Sequence, residues 1–117
     1  MKENVLIELT KQFAVEIVKL CTTIKENGKG TVLLNQILRS GTSIGANVFE
    51  ANYAVSKADF INKLQIALKE CYETTYWLEI FKETEIINVA EFDSLYASNS
   101  KIRKLLTASL TTAKKSQ

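Results

Sequence analysis

The sequence predicts an all-α protein, an antiparallel up-down-up-down, left-handed four-helix bundle. Three observations predict it. The 117 residues contain no proline and only four glycines, so little interrupts the helix-forming stretches. Apolar residues recur at spacings of three and four through four long segments. The connections between those segments are short, which forces successive helices to run antiparallel. A chain of this length makes one domain, 1–117, with a single core. The helices are expected at about 4–27, 32–54, 57–83 and 89–113.

In the first segment Leu6, Leu9, Phe13, Ile17, Leu20 and Ile24 share one face. Asn27, Gly28, Lys29 and Gly30 then stop the helix, because Asn and Gly accept the left-handed conformation at a C-cap. Thr31 is the expected N-cap of the second segment, whose apolar face is Leu34, Ile37, Ile44, Val48 and Ala51. Gly41 and Gly45 lie inside it, four apart and so on one face. Each costs about 1 kcal/mol against alanine. Two explanations stand, close approach by a neighbouring helix or a kink near Gly41.

Ser56 caps the third segment, with Asp59 placed to reciprocate in a capping box. Phe60, Leu64, Ala67, Cys71, Thr74, Leu78 and Phe81 follow at spacings of four and three, a bundle seam. Ile61, Leu68, Tyr72 and Trp77 widen that seam, so this helix should meet more than one partner. The fourth segment carries Phe92, Leu95, Tyr96, Ile102, Leu105, Leu106 and Leu110. The polar tail, 111–117, is expected to fray.

Two of these helices also carry polar seams. The second presents Gln36, Arg39 or Ser40, Ser43, Asn47 and Glu50; the third presents Asn62, Gln65 or Ile66, Lys69, Glu70 and Glu73. A turn near residue 56 pairs positions whose numbers sum to about 112. Arg39 then faces Glu73, Ser43 faces Lys69 and Glu70, Asn47 faces Gln65, and Glu50 faces Asn62. The plain reading is a polar network that fixes register between helices or subunits, with Trp77 beside it. A paired-carboxylate active site at Glu70 and Glu73 is the sharper alternative. Tyr72, Tyr76 and Trp77 form an aromatic patch suited to a core or a subunit interface, or else to stacking on exposed bases.

The chemistry left open is narrow. The chain has no histidine, which removes the commonest general base and metal ligand and any Glu-x-x-His di-iron site. No catalytic residues, cofactor or metal are expected. Cys21 and Cys71 read as buried, reduced thiols, with a disulfide as the alternative. No apolar run is long enough to span a membrane, and the N-terminus lacks the pattern of a secretory signal, so a cytoplasmic location is expected.

Charge is unevenly placed although the net is only +2. Acids dominate from Glu70 to Asp93, while Lys101, Arg103, Lys104, Lys114 and Lys115 follow with no acid among them. These five are the candidate phosphate contacts. A solvated helix face is the plain alternative.

LLNQILRSGTSIGANVFEA and DFINKLQIALKECYETTYWLEIF together resemble the bacterial four-helix bundle family associated with intervening sequences in 23S ribosomal RNA genes. The resemblance rests on Arg39, Ser40, Ser43, Ile44, Asn47 and Glu50, then Asp59 and Phe60, then Ala67, Lys69, Glu70, Glu73, Thr74, Tyr76, Trp77 and Leu78. Gly41 and Gly45 stand where alanine is frequent. The resemblance implies a homopentameric ring and a non-enzymatic role. It also implies a fold shared with accessory proteins of diversity-generating retroelements, which bind nucleic acid. The expected partners are therefore further copies of the chain and RNA or DNA, with no membrane and no small-molecule substrate. A protein-interaction scaffold without nucleic acid is the second reading.

Overall fold

In a computed structural model the chain forms α1 (Lys2–Glu26), α2 (Leu34–Ala51), α3 (Lys57–Glu83) and α4 (Val89–Lys115). The structure describes residues 2–29 and 32–116, with side chains from Val5 onward. Each helix packs on the next, and α4 closes against α1. Among the described residues the backbones of the diagonal pairs, α1 with α3 and α2 with α4, nowhere come within 8 Å at Cα. This is an up-down-up-down bundle, 49 × 21 × 19 Å, with no strand among the described residues.

The helix ends are set by local chemistry. Gly28, at φ 73°, ends α1: its amide donates to Lys25 and that of Lys29 to Ile24. The same paired arrangement ends α3, where Glu85 donates to Lys82 and Ile86 to Phe81. There the left-handed position, φ 62°, is filled by Glu85 rather than glycine. Thr31, the expected cap of α2, lies outside the described residues, and Leu33 occupies the position before the helix. Ser56 Oγ accepts the Asp59 amide at 3.0 Å. The Asp59 carboxylate reaches back one residue further than expected, accepting the Val55 amide at 3.2 Å. At α4, Asn88 and Glu91 form a reciprocal capping box.

Five of the eight expected boundaries differ, by one to three residues. The second helix stops at Ala51, and the chain turns through Asn52 and Tyr53. The fourth runs on to Lys115 because Leu110 and Ala113 are buried against the bundle. Burying the outer turn offsets the entropy that would fray it.

The core is the union of four apolar stripes. Phe13, Ile17, Ile37, Ile44, Leu64, Leu78, Phe81, Ile102 and Leu106 are essentially inaccessible. Tyr72 was expected to widen its seam, yet it is exposed, and Tyr96 lies at the margin of α4 with its ring stacked on Phe92. The internal glycines serve close approach. A Cβ on Gly41 would stand 2.9 Å from Ile17 Cγ1, and one on Gly45 would stand 3.2 Å from the Thr10 carbonyl oxygen. Helix α1 therefore lies directly on α2, which remains helical throughout. Asn99, fully buried, donates to the Cys71 carbonyl at 3.3 Å and pins α4 to α3.

Candidate functional site

Two groups of polar residues stand out, one between α2 and α3 and the other along α4. In the first, Arg39 reaches from α2 across to α3. Its guanidinium donates to Glu70 Oε1 at 3.3 Å and to Glu73 Oε2. Trp77 Nε1 also donates to Glu73 Oε2, at 3.0 Å. Glu70 has a side chain only 10% exposed, and Arg39 is its ion-pair partner. Just beneath, Thr74 Oγ1 donates to Ser40 Oγ at 3.0 Å in the fully buried layer. Lys63 pairs with Glu50 at 3.2 Å further along the same seam.

Several expected partners differ. Glu70 turns to Arg39 and not to Ser43, and Lys69 points into solvent. Asn47 donates to the Ser43 carbonyl of its own helix at 2.9 Å instead of reaching Gln65. Glu50 takes Lys63 rather than Asn62. The reason is common to all four. The overall antiparallel register is right to about one residue, but a helix turns about 100° per residue, so a shift of one exchanges the facing side chain.

A catalytic reading of Glu70 and Glu73 needs a pocket around them. The described grooves lie elsewhere. One of ≈ 460 Å³ runs between α1 and α4, lined by Glu16, Leu20, Ala90 and Leu95 among others, and a second lies between α1 and α2 over Gly45, Ala46 and Phe49. Both carboxylates are instead held by Arg39. Cys21 and Cys71 are buried and unpaired, and burial pushes their thiols up to about 11 and about 12. Such thiols are poor nucleophiles near neutral pH. No metal-binding cluster occurs among the described residues.

The α4 cations are divided between two stripes. Lys101, Lys104 and Lys115 lie three and eleven residues apart and share the outermost face. All three are exposed. Arg103 and Lys114, also eleven apart, lie on the side toward α3. The Arg103 guanidinium sits 5.7 Å above the Tyr72 ring. None of the four lysines forms an ion pair among the described residues.

A protein-family model described as "23S rRNA-intervening sequence protein" matches residues 2–108. The chain belongs to that family. A solved structure from Bacteroides thetaiotaomicron VPI-5482, described as a protein of unknown function from the S23 ribosomal protein family, is 49% identical to it. That match covers 95% of this chain and 99% of the other, with a TM-score of 0.92. No curated protein matches. In this 23S rRNA-intervening sequence protein, sequence reasoning did not single out Lys57, placed Lys69 in the polar network between α2 and α3, and read Tyr72 both as seam and as part of an aromatic patch. Only antiparallel folding brings these α3 residues beside the basic end of α4. No described helix is long and apolar enough to cross a membrane.

Proposed function

We propose that this chain is a non-catalytic, cytoplasmic binding module that works as a homo-oligomer, a pentamer by family resemblance, and contacts RNA, DNA or a ribonucleoprotein through α4. The observation that carries this reading is the set of unneutralised cations on one rigid helix: Lys101, Lys104, Lys114 and Lys115 are exposed, with no acid paired to any of them among the described residues. Phosphates are the ligand such cations attract, and a symmetric ring multiplies a modest charge per subunit. Arg39, Ser43, Asn47, Glu50, Glu70, Glu73 and Trp77 serve the bundle or its subunit contacts.

The test is fluorescence anisotropy with structured RNA and single-stranded DNA, at low and physiological salt, on protein whose mass is known from light scattering. Binding that weakens as salt rises, and is lost in the Lys101→Glu/Arg103→Glu/Lys104→Glu variant, is expected. Absence of binding even at low salt, from an intact oligomer, would refute the nucleic-acid reading and leave a protein scaffold.

A further inference from the structure

We propose that the outer α3–α4 face at Tyr72, Tyr76 and Arg103 is a stacking platform for single-stranded nucleic acid, with Lys69, Lys57 and Lys114 holding the phosphates on either side. The inference rests on the nucleic-acid reading above and specifies which form is bound and by which surface.

The two tyrosines are each 56% exposed, whereas Phe13, Phe81 and Phe92 are buried in the core. They are four residues apart, on one face of α3 and about 6 Å apart along its axis. Arg103 reaches over the Tyr72 ring from the neighbouring helix and adds a cation to the aromatic surface. Aromatic faces beside a positively charged track are what unpaired bases and their backbone require together.

The charge on this face is local and created by the fold. In sequence the acidic stretch precedes the basic one. Because α3 and α4 are antiparallel, the first half of α3 lies beside the last half of α4. Lys57 Nζ donates to Ser116 Oγ, which fixes that alignment. Lys69 is exposed one turn before Tyr72, and Lys114 lies three turns beyond Arg103 on the same stripe, about 16 Å away. The acids in this part of the two helices are Asp59, turned back to the Val55 amide, Glu70, buried against Arg39, and Glu73, which lies between the tyrosines in sequence and is held by Arg39 and Trp77 on the side toward α2. Glu79, one turn beyond Tyr76, marks the edge of the platform, and Glu83, Glu91 and Asp93 lie toward the opposite end of the bundle. A strand is thus drawn to one half of the face and repelled from the other. A stacked duplex offers a ring no free base face without the cost of unstacking a step, so the platform favours unpaired bases.

The experiment uses the full-length protein and strands of about 12 nucleotides, as single-stranded RNA, single-stranded DNA and the matching duplexes, with 2-aminopurine at one position. The wild type should prefer single strands to duplex and should change 2-aminopurine fluorescence on binding. In Tyr72→Leu/Tyr76→Leu, single-strand affinity should fall about tenfold or more while its salt dependence is kept, and the fluorescence change should vanish. Circular dichroism checks that the variant folds, and the wild-type fluorescence signal is a readout that needs no variant. Undiminished binding by the leucine variant, with loss in Lys101→Glu/Lys104→Glu, would overturn the platform and leave the α4 phosphate reading standing. No binding of any nucleic acid by the wild type would overturn both. A change in oligomer mass caused by the tyrosine substitutions would make this face a contact between copies and overturn the platform.

Discussion

Replacing Gly41 with alanine tests the packing of α1 on α2. In an open helix the change would stabilise by about 1 kcal/mol, since alanine is the better helix former. Here the new Cβ would stand 2.9 Å from Ile17 Cγ1 and 3.1 Å from Cγ2. Ile17 is fully buried, and the crowded atoms are at the root of a β-branched side chain, which has few alternative rotamers. Overpacking of this kind costs about 1–3 kcal/mol. The net expectation is a loss of about 1 kcal/mol, or about 4 °C in Tm for a chain of this size. Ile17→Ala removes both γ carbons and leaves Cβ, at 3.4 Å, as an ordinary contact. That substitution alone should cost about 3 kcal/mol. In its background Gly41→Ala should reverse sign and stabilise by about 1 kcal/mol, a coupling of about 2 kcal/mol. Urea denaturation of the four proteins, at one protein concentration, measures the cycle. A Gly41→Ala protein stabilised equally in both backgrounds would refute the close-approach argument.

Glu85 occupies a left-handed position that glycine adopts without strain, so Glu85→Gly should stabilise by about 1 kcal/mol in the same urea assay. Arg39→Met removes the partner of a buried carboxylate and should destabilise by about 2 kcal/mol, with much of the loss recovered in Arg39→Met/Glu70→Gln; thermal melts of the two proteins decide it. Asn88→Ala should cost about 1 kcal/mol by removing the capping box of α4, read as lost helicity and a lower melting point. Cys21 and Cys71 should resist a thiol reagent at pH 8 in the native protein and react fully in denaturant. Their thiols are raised in the folded state from 9.0 to about 11 and about 12, so above pH 9 the unfolded chain loses protons first. Stability is accordingly complete below pH 9 and falls as pH rises toward 12, a slope that Cys71→Ala should reduce.

The capping box at Asn88 shows how much local structure was open to reading and missed. Asn and Glu three apart, ahead of an apolar stripe, signal a helix start, and the sequence reading places that start at 89 without naming Asn88 and Glu91 as its caps. Tyr72 is a different kind of miss. Periodicity places it at the margin of a seam, and a residue about 100° from the core direction becomes core or surface according to how close the neighbouring helix lies. Gly41 shows the intermediate case. Its spacing with Gly45 announces an exception, but the choice between a kink and close approach needed the position of Ile17.

The sequence by itself determined the helices, their antiparallel order and the residues of the core. Those follow from short-range rules: spacing along a helix, the chemistry of caps, and the reach of a short turn. Tertiary structure alone decided which polar groups meet and where charge accumulates. Arg39 holds Glu70 as well as Glu73, and Glu50 takes Lys63, because ion pairs depend on rotation and register finer than apolar patterning specifies. Lys57 and Lys69 join Arg103 and Lys114 on one face because two helices far apart in sequence lie side by side in opposite directions. An apolar stripe needs only to face inward, whereas a polar contact needs two particular atoms within about 3 Å, and only the folded arrangement of helices supplies that.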